Sequence, residues 1–260
     1  AIVGAGVGLS VEGYKAMVEM QFSDFVTEAM TQICNQAAKL HYRWGQQADL
    51  VIRMPTGAGV AAGPFHSQST EAWFARVPGL KVVYPSGPAQ AKGLLLRAFE
   101  DPNPVLFFEH KNLYRSVEAE VAPEYYSLPL DRAVRVREGE AITVIAYGWA
   151  VLWVQDRMMR NAEVSVELID LVSLRPIDWA TLEQSVRKTG RCVVVQEDTF
   201  LGSIGSSVAA ELQSRCFTSL DAPIEVVSSA DLPIPFSAEL ERGFLPHERL
   251  EMALNRCVKF

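Results

Sequence analysis

The stretch VIRMPTGAGVAAGPFHSQS, residues 51–69, decides which kind of fold to expect from this sequence. Its apolar beginning predicts a buried strand over Asp49–Met54, which Pro55 stops. Three glycines between Thr56 and Ser67 then predict a loop that is either mobile or shaped around another group. A buried strand that leads into such a loop is typical of α/β proteins, in which ligands gather at the carboxyl ends of parallel strands.

Strand and helix patterns alternate on both sides of this stretch, which predicts a mainly parallel sheet with helices on both faces. Residues 1–9 are typical of the interior of a Gly/Ala-rich helix or of a passage from strand to helix. A long helix is predicted over Phe25–Tyr42, capped by Asp24, and a short one follows a Ser69 cap. The other predicted elements are strands over Lys15–Met20, Lys81–Tyr84 and Val105–Glu109 and a helix over Pro88–Glu100.

The alternation lapses between Asn112 and Leu130, a stretch with two prolines and several charged residues, and then resumes. Beyond it, strands are predicted over 141–147, 164–171, 191–197 and 224–228, and helices over 150–160, 179–188, 203–217 and 248–258. We therefore predict a first α/β unit over 1–115, a linker over 116–131 and a second α/β unit over 132–260.

The composition is that of a globular protein. Hydrophobic residues make up 49% of the chain, which rules out disorder. A net charge of −7 without any Lys/Arg run disfavours nucleic acid as a partner. No apolar run approaches the ~18 residues of a membrane span, so none is predicted. The four cysteines lie far apart without metal-binding spacing, which indicates reduced, packed thiols.

His66 is the strongest single candidate for chemistry. A histidine in a loop of small residues can reach a ligand, and imidazole titrates near neutrality. A hydrogen-bonded or solvated loop histidine is the open alternative. Gln21, Phe22 and Phe25 lie where the first strand meets the following helix, so the aromatic rings either stack on a flat heterocycle or pack in the core. The remaining histidines, His41, His110 and His247, are predicted to be structural or solvated.

Several long segments carry a resemblance to a known family. Among them are AIVGAGVGLS (1–10), EMQFSDF (19–25), GPFHSQSTEAWFA (63–75), AKGLLLRAFEDPNPVLFFEHKNLYRS (91–116) and RCVVVQED (191–198). They resemble the beta subunit of the thiamine diphosphate-dependent decarboxylating component of 2-oxo acid dehydrogenase complexes. The resemblance implies an α/β fold with a transketolase-like pyrimidine-binding domain, incomplete at its start, and then a transketolase C-terminal domain.

The resemblance also implies a division of labour around thiamine diphosphate. An alpha subunit holds the diphosphate and Mg²⁺, and the beta subunit holds the aminopyrimidine ring. A glutamate of the beta subunit promotes the imino tautomer of that ring, and the cofactor then decarboxylates the 2-oxo acid as an electron sink. The acyl group passes to lipoamide on the dihydrolipoamide acyltransferase core. The implied partners are thus the alpha subunit, a second beta subunit and this core.

Particular residues match the family's functional positions. His66 in HSQS matches the active-site histidine, which the family is thought to use in proton transfer and acyl transfer to lipoamide. Phe25 in QFSDF matches the aromatic beside the pyrimidine, and Gln21 lies close to it, near the substrate pocket. Family members often hold a potassium ion, and a plain turn is the alternative interpretation of the matching residues. These are Ala48, Leu50, Val51, Asp101 and Asn103.

The sequence departs from the family at its start. The family's catalytic glutamate would stand two residues before Ala1, and no acid of this chain replaces it. We interpret the chain as a fragment of a longer polypeptide, inactive by itself. The alternatives are a non-catalytic assembly subunit and another transketolase-like thiamine enzyme.

Substrate and location follow from looser similarities. HSQS together with Phe25, Trp73 and Phe74 favours branched-chain 2-oxo acids over pyruvate as the substrate. The reduced cysteines indicate a cytosolic protein, so a bacterial cytoplasm is favoured over the mitochondrial matrix.

Overall fold

The computed structural model describes residues 1–160 and 164–259, which form two five-stranded sheets with helices packed against them. The strands are β1 (Ala16–Glu19), β2 (Leu50–Thr56), β3 (Lys81–Val83), β4 (Val105–His110), β5 (Val134–Arg137), β6 (Ile142–Ala146), β7 (Val166–Asp170), β8 (Ser173–Arg175), β9 (Cys192–Val195) and β10 (Glu225–Val227).

The α-helices are α1 (Ile2–Val11), α2 (Ala38–Trp44), α3 (Glu71–Ala75), α4 (Pro88–Glu100), α5 (Leu113–Ser116), α6 (Trp149–Arg160), α7 (Trp179–Thr189), α8 (Ile204–Arg215), α9 (Ala238–Phe244) and α10 (His247–Cys257). Short 3₁₀ segments cover Ser23–Ala29 and Phe217–Ser219, and a π-helical segment covers Thr31–Ala37. None of the described helices combines the length and the apolar character needed to cross a membrane.

Both sheets are mainly parallel, which confirms the predicted fold class. The first has the order β1-β2-β4-β3-β8, and only β8 runs antiparallel to its neighbour. The second has the order β10-β9-β6-β7-β5, with β5 antiparallel at one edge. Buried strands of a parallel sheet need apolar side chains on both faces, and β6 is buried at all five positions.

The two sheets share one core. The largest buried cluster contains Val82 and Phe108 from the first sheet and Ile145 and Val194 from the second. The strand β8 strengthens this union, because it belongs to the second half of the chain by sequence and pairs with β3.

The segment after β1 differs from its prediction. Instead of one α-helix over Phe25–Tyr42, the chain runs through 3₁₀, π and α geometry in turn, and α2 ends at Gly45 with φ of +68°. Asp24 does not cap this segment, because its carboxylate accepts hydrogen bonds from Gln68 instead. A tertiary contact thus takes the group that local capping would have used.

Two smaller predictions are also wrong. Pro55 lies inside β2 and does not stop it, and Ser69 does not cap α3, whose N-cap residue is Thr70. Ser69 Oγ instead lies 3.4 Å from Glu197. Other local signals are followed: Pro88 begins α4, and the left-handed Gly190 ends α7. The structure adds an N-cap at Asp178, whose side chain accepts from the Thr181 N–H.

Candidate active site

The candidate site lies at the carboxyl ends of three neighbouring strands, β1, β2 and β4. Phe22 follows β1, the glycine-rich loop 57–67 follows β2, and Lys111 follows β4. The parallel register brings these segments to one edge of the sheet, where ligands of α/β proteins gather. The Lys111 backbone N–H donates to the Thr56 carbonyl at 3.0 Å, which holds the last two segments together.

His66 lies against two phenyl rings at this edge. Its ring centroid is 5.2 Å from that of Phe22 and 5.7 Å from that of Phe25, and both contacts are edge-on. His66 is half-buried, while 41% of Phe25 is exposed. The structure therefore brings His66 and Phe25 together and leaves part of Phe25 exposed beside the imidazole. Gln21 is exposed and makes no side-chain hydrogen bond within the described residues.

The segment around Gln68 is anchored to the sheet by buried polar side chains. Its backbone N–H and its Nε2 both donate to Asp24 Oδ1, at 3.1 and 3.0 Å. Its carbonyl accepts from Thr56 Oγ1 at 2.8 Å and from Ser23 Oγ at 3.2 Å. Three of these four hydrogen bonds end on backbone atoms, and they fix the backbone two positions after His66.

The glycine-rich loop is shaped by close packing. Gly57 and Gly59 have φ angles of +95° and +86°, which favour glycine. A Cβ on Gly57 would overlap the His110 ring, and one on Gly59 would lie 2.6 Å from Trp149. Of the two interpretations of this loop from the sequence, the structure favours a shaped loop. The groups that shape it are side chains of the protein, His110 and Trp149.

Two carboxylates from the second half of the chain hold this loop by its backbone. Glu197 Oε1 accepts from the N–H of Ala58 at 2.6 Å. Glu241 accepts from the N–H groups of Gly59 and Ala61, each at 2.9 Å. Both glutamates are buried, so these charge-assisted bonds form away from bulk water.

Glu197 has a second partner, His110, whose Nε2 lies 2.7 Å from Glu197 Oε2. His110 Nδ1 accepts from the Asn112 N–H at 3.2 Å, so Nε2 carries the proton and donates to the carboxylate. Burial by itself raises the pKa of Glu197, but His110 and the Ala58 N–H outweigh it and hold the pKa below its usual value. Glu197 is thus a buried carboxylate that supports the loop.

A second buried acid bridges the two halves. Glu71 on α3 accepts a hydrogen bond from Tyr147 Oη at 2.9 Å. Burial and the nearby Asp198 raise the pKa of Glu71 to about 8. Burial also raises the pKa of Asp198 to about 6. Glu71 is therefore protonated near neutral pH.

Sequence reasoning missed Glu197, Glu241 and Glu71 as supports of the site, and it treated His110 only as structural or solvated. One signal was available for His110, because it ends a buried strand, VLFFEH, at the carboxyl edge of the sheet. The glutamates gave no comparable signal, since their partners lie more than 70 positions away in the sequence.

The predicted potassium residues gather at the opposite end of the first sheet. The Ala48 N–H lies 3.4 Å from the Pro102 carbonyl, which brings the 101–103 turn beside the start of β2. Asp101 Oδ1 accepts two bonds from Asn103, both at 3.0 Å, and Oδ2 is paired with Lys81. Burial by itself raises the pKa of Asp101, but these bonds lower it overall. Lys81 and Asn103 already engage both carboxylate oxygens, so backbone carbonyls remain as the main candidate ligands.

Comparison with known proteins gives this arrangement a class. Residues 1–117 match the transketolase pyrimidine binding domain, and residues 131–249 match the transketolase C-terminal domain. A solved chain of a split gene transketolase, an inactive β4 tetramer, has the same fold. The TM-score is 0.78 at 23% sequence identity, and the match covers 98% of this chain and 80% of that chain. The protein is therefore transketolase-like.

Curated relatives narrow this class. The chain is 41% identical to the 2-oxoisovalerate dehydrogenase subunit beta of Bacillus subtilis, over 100% of this chain and 81% of the relative. It is 45% identical to the mitochondrial 2-oxoisovalerate dehydrogenase subunit beta 2 of Arabidopsis thaliana (92% and 68%), and 41% identical to the pyruvate dehydrogenase E1 component subunit beta of Staphylococcus epidermidis (95% and 77%). The chain belongs to the family of 2-oxo acid dehydrogenase E1 beta subunits, which are thiamine diphosphate-dependent oxidoreductases. The resemblance noted from the sequence is confirmed.

Proposed function

We propose that this beta subunit serves a branched-chain 2-oxo acid dehydrogenase and that His66 takes part in acyl transfer to lipoamide. The observation that carries the proposal is the packing of the His66 imidazole against both Phe22 and Phe25, at the carboxyl edge of the sheet. An imidazole there can donate or accept a proton at a ring nitrogen when a ligand binds at this edge. The relatives named for 2-oxoisovalerate support the branched-chain substrate, with identities of 40 to 45%.

The residues present fit a flat heterocycle. Phe25 exposes 41% of its surface beside His66 and offers a ring face for stacking on the aminopyrimidine of thiamine diphosphate, with Gln21 nearby. When bound, thiamine diphosphate supplies the electron sink for decarboxylation. The part of this chain is to orient the ring with Phe25 and to move a proton at His66.

An alpha subunit completes the proposed site. The sequence carries no G-D-G…N motif for a diphosphate, so the alpha subunit would hold that group and Mg²⁺. Exposed apolar side chains on and beside the glycine-rich loop support coverage by another subunit; they are Val60, Phe65 and Phe236. A second beta subunit and the acyltransferase core are the further proposed partners.

Three finer assignments belong to the same proposal. The chain divides into a pyrimidine-binding domain over 1–115, a linker over 116–131 and a C-terminal domain over 132–260. Potassium binds beside Ala48, Leu50, Val51, Asp101 and Asn103, mainly through backbone carbonyls. The compartment is the bacterial cytoplasm, although relatives named as mitochondrial keep the matrix open.

The test uses the full-length polypeptide assembled with its alpha subunit and the acyltransferase core. We expect kcat/KM for 2-oxoisovalerate to exceed that for pyruvate and His66→Ala to lower lipoamide acylation by on the order of a hundredfold or more. A preference for pyruvate would overturn the substrate, and full acylation by the variant would overturn the role of His66. Core binding without turnover of any 2-oxo acid would instead support a non-catalytic assembly subunit.

A further inference from the structure

We propose that Lys111 is a positioning residue for His66. Its ammonium group fixes the His66 carbonyl and thereby the direction in which the imidazole points. This inference rests on the proposed function of His66 and extends it to a residue that does not touch the reacting atoms.

The base of Lys111 is rigid. The residue comes directly after β4, and its backbone N–H donates to the carbonyl of Thr56, the last residue of β2, at 3.0 Å. β2 and β4 pair over six residues. Lys111 therefore starts from a fixed point at the centre of the sheet edge, and the position of its head group depends on the side chain alone.

The head of Lys111 has few direct partners within the described residues. Nζ donates to the His66 carbonyl and lies 4.9 Å from the centroid of the Phe22 ring. No carboxylate in the described part of the chain lies within 4.0 Å of it; Asp24, Glu197 and Glu241 act from farther away. Partial burial lowers the pKa of Lys111 because desolvation disfavours the charged form. A half-buried ammonium of this kind is stabilised chiefly by the carbonyl and the ring that it contacts.

The imidazole itself is held weakly. The described residues give its ring nitrogens no hydrogen-bond partner, so its side-chain contacts are the edge-to-face packing against Phe22 and Phe25. Its direction must therefore follow from the backbone at residue 66. Glu241 holds that backbone at Ala61, and Asp24 holds it at Gln68. Between these two points, Lys111 is the side chain that holds it.

The chain offers a matched control in Lys92. Lys92 Nζ also lies 4.9 Å from an aromatic centroid, that of Tyr126, and also donates to backbone carbonyls, those of residues 122–124. Like Lys111 it is half-buried, but its partners belong to the connection after α5 rather than to the His66 loop. Replacing Lys92 or Lys111 by Met therefore removes the same kinds of contact, one with an aromatic ring and one with backbone carbonyls. The two variants differ in where those contacts lie.

The first experiment measures lipoamide acylation in the assembled complex. We expect Lys111→Met to reduce kcat by on the order of tenfold to a hundredfold, because small misplacements of a catalytic group are costly. Lys111→Arg should recover most of the rate, and Lys92→Met should behave like the wild type. The double variant His66→Ala/Lys111→Met should be no slower than His66→Ala, since Lys111 acts through His66. Additive losses would overturn the proposal.

The second experiment does not depend on catalysis. Amide hydrogen exchange over residues 62–67 should rise in Lys111→Met and stay unchanged in Lys92→Met, while exchange at 58–61, held by Glu197 and Glu241, stays protected in both. If His66→Ala is fully active but this exchange rises, the proposed function fails and the positioning role stands. If exchange is unchanged in Lys111→Met, the positioning role fails. Should Lys111→Met not assemble, Lys111→Gln keeps a shorter N–H donor and should show the same changes to a smaller extent.

Discussion

His66 lies within the glycine-rich loop and His110 packs against it at Gly57, and the two histidines are held in opposite ways. His110 is buried, and both of its ring nitrogens have hydrogen-bond partners, Glu197 and the Asn112 N–H. His66 is half-buried and packs nearly perpendicular to two phenyl rings, with no hydrogen bond to its ring in the described residues. A fully bonded imidazole stabilises a fold, whereas an unbonded one keeps its lone pair and its proton available to a ligand. The comparison separates a structural histidine from a candidate catalytic one by partners rather than by residue type.

The largest expected effect comes from removing the free histidine. His66→Ala should cost about 3 kcal/mol or more of transition-state stabilisation in acyl transfer, while its free energy of unfolding changes by less than about 0.5 kcal/mol. Few stabilising contacts end at the imidazole, so thermal unfolding of the complex checks the second half of this prediction. A large drop in stability would place His66 with the structural histidines.

At His110 we expect the main effect of substitution on stability rather than on acyl transfer. His110→Ala leaves Glu197 buried without its main side-chain partner, which should reduce the free energy of unfolding by about 3 kcal/mol. Denaturant titration measures this loss. His110→Asn, which can keep one N–H donor toward Glu197, is the milder control. Equal stability of the alanine variant and the wild type would contradict the structural role.

Glu71 extends the comparison to an acid that burial keeps neutral. Its folded-state pKa is raised to about 8 by burial and Asp198, against an ordinary value of 4.5. Between these values the unfolded chain releases a proton that the folded chain retains, so stability falls as pH rises, by at most about 1.4 kcal/mol per unit. Glu71→Gln should flatten the decline between pH 5 and 8. An unchanged slope in unfolding measured across this range would argue against the shift.

The smallest effect is expected at Glu241, which accepts hydrogen bonds from the backbone of the glycine-rich loop. Glu241→Gln keeps one side-chain acceptor for the N–H groups of Gly59 and Ala61 but loses the charge, which should cost about 1 kcal/mol. Hydrogen exchange at 59–61 should rise modestly, and Glu239→Gln, two residues earlier in the same helix and exposed, is the matched control. A change at residues 66–68 rather than at 59–61 would show that the two ends of the loop are not held independently.

Local patterns predicted most of the elements but not their tertiary partners. The run VLFFE, the Pro88 start of α4 and the Gly190 end of α7 are local signals, and the structure follows them. The prediction of one α-helix capped by Asp24 after β1 was wrong, because Asp24, a good local cap, binds Gln68, 44 positions away. Short edge strands such as β5 and β8 carry too few residues for a periodic signal, so they were missed.

In the candidate site, too, local motifs were predictable from the sequence and long-range partners were not. His66 and Phe25 were found because each belongs to a short motif at the end of a strand, and the structure brings their rings together. Gln21 belongs to the same motif, yet it is exposed and without a side-chain hydrogen bond in the described residues. Glu197 and Glu241 reach the loop from 139 and 182 positions away, and no spacing in one sequence reveals such a pairing.

The strand β8 has a consequence for any attempt to recombine these proteins. Ser173–Arg175 pair with β3, so the last strand of the first sheet is encoded in the second half of the gene. A chimera joined within 116–131 would place a foreign strand against β3 and a foreign Tyr147 against Glu71. A functional chimera between relatives therefore needs β3 and β8 sequences that match each other. We expect substitutions in β3 and β8 to be correlated in evolution, because the two strands pair.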